Sequence, residues 1–524
     1  MVKGTVQIHQ TNGKKYEVDA DITQPGETFK MQVYSLTSVA PDRQKILVKG
    51  GQLKDDTDMS KLGLKENQML MMIGTVGELP KMPVTQAKFV EDMTENEVAR
   101  ALAIPAGLEN LGNTCYANAS LQCLKAVPHL KEALDEFRAG GVAGTSDPRR
   151  NLATSLRGLF DQLSESSEGV PPMVFLSVLR QIFPKFGEMD PQSGGYRQQD
   201  AEEFWSELLT ALDRVLKKDE NEPSVVEKYM SGTMVTTWKT DEAPEEPEVV
   251  QQEPFRKLDC RIDKTANYLS QGIQKGLEQV VEKNSASLGR NAEYKVVSRI
   301  ARLPEYLTVA YSRFFWKASE SVDAKIVKSV RFPLELDVSE FCTPELQKKM
   351  QPAKQYLREI EDKIALERKM SKRAKLDEER GSEKGKKPEE MDVDVEAKKE
   401  EEAVEAAAKT VAESHFELDP ELKADVGCNP SGIYELVGVV THIGRSANSG
   451  HYMAWVRKEK GVGGPDPAAA PATAGGKAPD TQHWWYKFDD DNVSMVTDDE
   501  ILKLCGGGDW HTAYVTLYRA KKLD

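Results

Sequence analysis

Between residues 366 and 413 the chain reads LERKMSKRAKLDEERGSEKGKKPEEMDVDVEAKKEEEAVEAAAK and a few residues more, nearly all of them charged or small. So little apolar surface cannot offset the entropy of ordering a backbone. The stretch is expected to be disordered, apart from a first part that extends the helical pattern QYLREIEDKIALER before it. A second stretch, 459–480, is rich in Gly, Ala and Pro and reads as a flexible loop tip. Strand and helix patterns flank both, so residues 104–524 must close as one large domain across two insertions. The net charge of −15 makes nucleic acid a poor partner, since that needs a basic footprint, and much of the acid sits in the first insertion. The six cysteines are scattered, with no C-x-x-C pair, which argues against a disulfide scaffold or a zinc ribbon. The start lacks an apolar signal core, and no apolar run approaches the ~18 residues that span a membrane. A soluble protein of cytoplasm and nucleus, without a membrane partner, is expected.

Residues 1–77 read as a separate unit. TVQIH and KYEVD alternate like strands and meet across Asn12-Gly13, a hairpin signal because both residues tolerate positive φ. A helical stretch TFKMQVYSLTSV follows, then QKILVKGGQL as strand and turn, then QMLMMIG as a closing buried strand. The order strand, strand, helix, strand, strand is that of a β-grasp. APDRQKILVKGGQL and LGLKENQML resemble ubiquitin itself. Where ubiquitin ends in a free Gly-Gly tail, this chain continues through IGTVGELPKMP. The resemblance therefore implies a fused docking module that is not conjugated. Leu47, Leu70 and Met72 fall where ubiquitin exposes its apolar patch, with ordinary core packing as the alternative. Residues 78–103 form a linker.

GLENLGNTCYANASLQ (107–122) places Cys115 after a turn of Gly and Asn and at the mouth of a helix. Free N–H groups and the helix dipole there favour a thiolate, and the same N–H groups suit an oxyanion. Asn110 adds a side-chain donor. Far downstream, YELVGVVTH and HYMAWV read as strands around the polar turn GRSANSG, with His451 where the turn re-enters a strand. Asp489, Asp490 and Asp491 end a further strand, and a carboxylate there can accept Nδ1–H of His451 and fix its tautomer. Each residue alone has a plainer reading: a buried thiol, a core histidine, a solvated turn.

Together the motifs resemble the ubiquitin-specific protease family. GLENLGNTCYANASLQ is similar to its cysteine box, GYRQQDAEEFWSELL to its Gln-Gln-Asp box, and GHYMAWV with WYKFDDDNVSMV to its histidine box. FCTPELQ, GGGDWHTAYVTLYR and the ubiquitin-like unit resemble the proteasome-associated branch of that family. The resemblance implies an α+β chain: a β-grasp ubiquitin-like domain, then a papain-like thumb-palm-fingers protease. The thumb is expected from Cys115 to about 220 and the fingers within about 225–300. It implies Cys115 as nucleophile, His451 as general base, Asp489 as third triad member and Asn110 at the oxyanion. Gln198, Gln199, Asp200 and Tyr452 would line the channel for the ubiquitin tail. Phe315, Trp316, Arg445, Ser446 and Ser449 sit in two loops (314–329 and 444–450) that would gate it. Many relatives bind zinc in the fingers between two C-x-x-C pairs. Here that region has only Cys260, so no metal and no cofactor are expected. The implied partners are ubiquitin, polyubiquitinated proteins and the 26S proteasome regulatory particle, for a chain that is a monomer when free. A non-catalytic ubiquitin-binding adaptor should lack the cysteine or the histidine. A protease for another ubiquitin-like modifier is disfavoured by the full Gln-Gln-Asp box.

Overall fold

A computed structural model describes residues 3–10, 14–49, 51–74, 104–137, 147–191, 194–217, 222–285, 287–317, 322–382, 416–446, 449–459, 483–508 and 510–523. The Asn12-Gly13 turn, the 78–103 linker, 383–413 of the charged insertion and 460–480 of the second insertion lie outside the described residues. The chain divides into two compact units, one within residues 1–89 and one within 90–524.

In the first unit, β1 (Lys3–Gln10) and β2 (Lys15–Asp21) pair antiparallel, with Val6 opposite Val18. Helix α1 (Gly26–Thr37) follows, then β3 (Lys45–Val48), β4 (Gly51–Gln52) and β5 (Met69–Ile73). The sheet order β2-β1-β5-β3-β4 is the expected β-grasp. Val6, Ile8, Val18, Phe29, Val33, Ile46, Leu70 and Met72 form its core. Two of the three residues assigned to a docking patch are thereby corrected. Leu70 (3% exposed) and Met72 (0%) are core, because β5 lies parallel to β1 with Leu70 beside Ile8. The outer face carries Met69, Met71 and Ile73, and Leu47 stands directly opposite Met71. In a strand a shift of one residue exchanges the two faces.

The second unit starts with helices. These are α2 (Cys115–Lys125), α3 (Pro128–Glu136), α4 (Pro148–Glu165), α5 (Met173–Ile182), α6 (Ala201–Val215) and α7 (Val225–Met230). Next come β6 (Gly232–Lys239), β7 (Val249–Phe255), β8 (Leu258–Arg261), α8 (Leu269–Leu277), β9 (Glu278–Ser285) and β10 (Arg290–Arg302). β11 (Tyr306–Ser312), β12 (Phe314–Lys317), β13 (Val322–Lys325) and β14 (Glu335–Asp337) lead into α9 (Pro344–Ser382). The chain closes with β15 (Ile433–Ser446), β16 (Ser449–Arg457), β17 (Trp484–Asp489), β18 (Asn492–Thr497) and β19 (Thr512–Ala520).

A four-stranded sheet, β7-β6-β10-β9, takes the place of the expected fingers. The central sheet runs β18-β17-β16-β15-β19-β11-β8, with β14 paired to β15. One core joins the helices to it: Leu121, Leu124, Phe160, Phe204 and Leu208 pack with Val440, Tyr452 and Phe488. A second core, with Ile273, Val309, Trp455 and Trp485, is formed by α8 and the central sheet. Cys260 is buried in β8 within that second core. Helix α9 continues to Ser382, so the first part of the charged insertion, 366–382, extends the helix before it as expected. Its residues are mostly good helix formers, and it takes few apolar contacts to extend a helix already nucleated. Among the described residues no helix is long and apolar enough to cross a membrane.

Candidate active site

Helix α2 begins at Cys115, whose side chain is buried. The turn before it needs left-handed backbone at Gly112 (φ 92°) and Asn113 (φ 55°), which explains the Gly-Asn composition. Asn110 organises the turn: its Oδ1 accepts from the N–H of Gly112 (3.0 Å) and of Thr114 (3.2 Å). Thr114 O takes the N–H groups of Ala117 and Asn118. The amides of Cys115 and Tyr116, as the first two of the helix, have no carbonyl within it to bond. They are donors beside the sulfur.

The second half of the site comes from the sheet. β15 and β16 pair with Ile443 beside His451, and β17 ends at Asp489. His451 Nε2 lies 2.6 Å from Asp489 Oδ1, and the Cys115 thiol is close enough to the ring to raise its pKa. The sequence argument assigned Nδ1 to the carboxylate. The structure gives Nε2 to Asp489, so Nδ1 is the ring nitrogen that remains for the sulfur. Cys115 raises the His451 pKa most, burial opposes it, and Asp489 adds to the rise, for a result of about 9.

Asp490 was not singled out in the sequence and proves to be the hub of the site. It adopts φ 54° in the turn after β17. Its Oδ1 accepts from Asn118 Nδ2 and its Oδ2 from Asn110 Nδ2, each at 2.8 Å. Its carbonyl takes the N–H of Leu108 at 3.0 Å, and its Oδ2 stands 3.9 Å from His451 Nε2. A Cβ on Gly107 would lie 2.4 Å from that carbonyl, so the two segments touch backbone to backbone. One carboxylate thus joins the turn before Cys115 to the strand end that holds His451. One N–H of Asn110 serves Asp490, which leaves the second for an oxyanion. No signal in the sequence distinguishes Asp490 from its neighbours in the Asp run.

The Gln-Gln-Asp segment lies against this site through Asn113, whose Nδ2 donates to Tyr196 O at 2.8 Å. Asp200 caps α6, accepting from the N–H of Glu202 (2.7 Å) and Glu203 (3.2 Å). Its Oδ2 takes the Tyr514 hydroxyl at 2.5 Å, and burial raises its pKa. Gln199 donates to Lys185 O at 3.0 Å. Gln198 Nε2 and Tyr452 Oη are buried without a hydrogen-bond partner among the described residues. Phe315 and Trp316 lie in β12 and Arg445 and Ser446 at the end of β15, while Ser449 opens β16 and is exposed. Both proposed gate segments are therefore built on hairpins. One ligand atom from each of His451, Asp489 and Asp490 lies within 4.8 Å of the other two, a spacing that follows from the His451–Asp489 contact and the neighbouring Asp490.

The family pattern described as "Ubiquitin carboxyl-terminal hydrolase" matches residues 106–518, and that of the "Ubiquitin family" matches 5–77. The chain belongs to the ubiquitin carboxyl-terminal hydrolase family. It is a cysteine-type deubiquitinase with an N-terminal ubiquitin-like domain. It is 41% identical to ubiquitin carboxyl-terminal hydrolase 6 of Schizosaccharomyces pombe over 98% of both chains. It is 38% identical to ubiquitin carboxyl-terminal hydrolase 7 of Arabidopsis thaliana over 97% of both. It is 33% identical to ubiquitin carboxyl-terminal hydrolase 14 of Caenorhabditis elegans, over 97% of this chain and 92% of that one.

The raised His451 pKa gives this hydrolase an expected pH profile. The imidazolium that protonates a leaving amine is present below about pH 9 and lost above it. The same ion pair stabilises the fold fully below the ordinary histidine value of 6.5, and that stabilisation disappears as pH rises through about 9. The kcat/KM profile for a ubiquitin amide should therefore show its basic limb near pH 9. A basic limb near the ordinary histidine value would contradict the pairing.

Proposed function

We propose that this deubiquitinase removes ubiquitin from proteins held at the 26S proteasome, docks there through its ubiquitin-like domain, and is restrained when free. Cys115 attacks the carbonyl of ubiquitin's terminal glycine. The first amides of α2 and the free N–H of Asn110 hold the oxyanion, and His451 gives its proton to the leaving lysine amine. Water then releases ubiquitin from the thioester, again with His451 as base. Asp489 orients the imidazole, and Gln198, Gln199, Asp200 and Tyr452 line the tail channel. A cytoplasmic and nuclear location and a monomeric free state go with this reading.

The observation that carries docking is the exposed apolar strip Leu47, Met69, Met71 and Ile73 on a domain whose chain runs on past residue 74. Restraint is supported by a contact between hairpin and site: Lys325 Nζ on β13 donates to the His442 carbonyl on β15 at 2.6 Å. The test uses the full chain, a ubiquitin C-terminal fluorogenic amide, and purified 26S proteasome. Proteasome should raise the rate at least about tenfold, and the double substitution Leu47→Asp, Met71→Asp should abolish that rise while leaving the free rate alone. A high free rate that proteasome does not change would remove both docking and restraint and leave the hydrolase.

A further inference from the structure

Beside the catalytic turns lies an exposed apolar pair that the chemistry above does not use. Val170 pairs with Leu108: its carbonyl accepts from the N–H of Glu109 and its N–H donates to the Gly107 carbonyl, each at 3.0 Å. Residues 169–170 are thereby tied to the run that leads into Asn110 and Cys115. Gly169 meets the acidic turn as well, since a Cβ there would stand 2.8 Å from Asp491 Cβ and 3.5 Å from Glu109 Cγ. Two prolines follow, Pro171 exposed and Pro172 buried, and α5 opens with Met173 and Val174. Met173 is 62% exposed, and Val174, at 72%, is the most exposed large apolar side chain among the described residues. Phe175, Leu176 and Leu179 anchor the helix in the core, so the exposed pair is no part of its packing face. The prolines fix φ before the helix, and the pair is presented on a constrained backbone.

The sheet order says which partner passes here. Strands β18-β17-β16-β15-β19 place His451, on β16, between the β17–β18 turn with Asp490 and Asp491 and the strand β19 with Tyr514. Asp200 bonds Tyr514, and the Tyr452 ring lies 5.9 Å from that of Tyr514, so the tail-channel residues gather toward β19. The leaving amine, which takes its proton from His451, departs on the other side, past Asp491 and Gly169. Glu109 and Asp491 are exposed there, and neither forms an ion pair among the described residues.

We propose that Met173 and Val174, with Glu109 and Asp491, form an acceptor-side subsite, which binds an extended segment whose ubiquitin-bearing lysine is flanked by apolar and basic residues. The apolar pair offers area to bury, and the two carboxylates attract the basic flank. An acidic flank meets like charge and is rejected. The subsite rests on the deubiquitinase reading of this cleft and occupies the side that ubiquitin's own tail does not.

The test uses the full chain and three substrates. Two are ubiquitin joined by an isopeptide bond to the lysine of a short peptide, with leucine and arginine beside the lysine in one and aspartate in the other. The third, a ubiquitin C-terminal fluorogenic amide, has no acceptor segment and serves as reference. Rates are taken with enzyme in excess, so that restraint of the free chain slows all three alike. The native chain should cleave the leucine-arginine conjugate about tenfold faster than the aspartate conjugate. Met173→Ser with Val174→Ser should slow the leucine-arginine conjugate about tenfold and leave both the amide rate and the thermal midpoint unchanged, because the two side chains are exposed to water in the free chain. Equal slowing of amide and conjugate would assign the pair to support of the catalytic turn and overturn the proposal. So would equal native rates on the two conjugates, or a double variant that cleaves as the native chain does. No hydrolysis of the amide would sink the deubiquitinase reading and the proposal with it, whereas amide hydrolysis without discrimination between flanks sinks the proposal alone.

Discussion

Cys115→Ala is expected to lower kcat/KM for a ubiquitin C-terminal amide by at least about 10⁴-fold, with the thermal midpoint nearly unchanged. The reasoning is geometric. Cys115 stands at the first position of α2, beside amides with no partner in the helix, and it is the largest cause of the raised His451 pKa. No other described cysteine shares this setting. Burial raises the thiols of Cys123, Cys260 and Cys342 to about 12, which suits core packing and not nucleophilic attack. Removing one sulfur from the close-packed mouth of α2 leaves a small gap, so stability should fall little beside activity. A residual rate within tenfold of native would mean that the hydrolysis is not carried by this thiol.

Asp490→Ala is expected to cost more activity than Asp489→Ala, although Asp489 makes the shorter contact with the imidazole. Asp489 is half exposed and among the described residues its side chain bonds His451 alone, and Asp490 Oδ2 stands 3.9 Å from the same nitrogen to take over part of its role. Asp489→Ala should therefore lower kcat/KM about tenfold. Asp490 is 10% exposed and holds Asn110 and Asn118 at once. Its loss removes one bond from each amide, although Asn118 Nδ2 keeps the Leu108 and Glu109 carbonyls and Asn110 is exposed to water, and frees the turn that aims Cys115. A displacement of about 1 Å in that turn is enough for a ~100-fold fall in kcat/KM. Kinetics below the thermal midpoint of each variant would decide it. A larger loss in Asp489→Ala would return the central role to the shorter contact.

The fold was legible where the pattern has a phase. TVQIH alternates apolar and polar residues, and Val6 and Ile8 are buried as alternation requires. MLMMI is apolar throughout, so nothing in it says which residues face inward. The parallel register with β1 decides that, and it is a tertiary fact. The same holds within the site. Cys115 and His451 stood out because a helix mouth and a strand after a polar turn each constrain a residue locally. The choice of Nε2 over Nδ1 and the hub at Asp490 depend on groups brought together from distant parts of the chain. Asp490 meets Asn110 across 380 residues, and no local pattern carries such a pairing.

The most direct test of the central claim is covalent capture. Full-length protein is mixed with ubiquitin bearing a thiol-reactive electrophile in place of its C-terminal carboxylate, and the adduct is mapped by peptide mass spectrometry. The structure predicts one ubiquitin per chain, attached at Cys115, absent in Cys115→Ala and much slower in His451→Ala. An adduct at another cysteine, or capture that proceeds at the native rate without His451, would contradict the account.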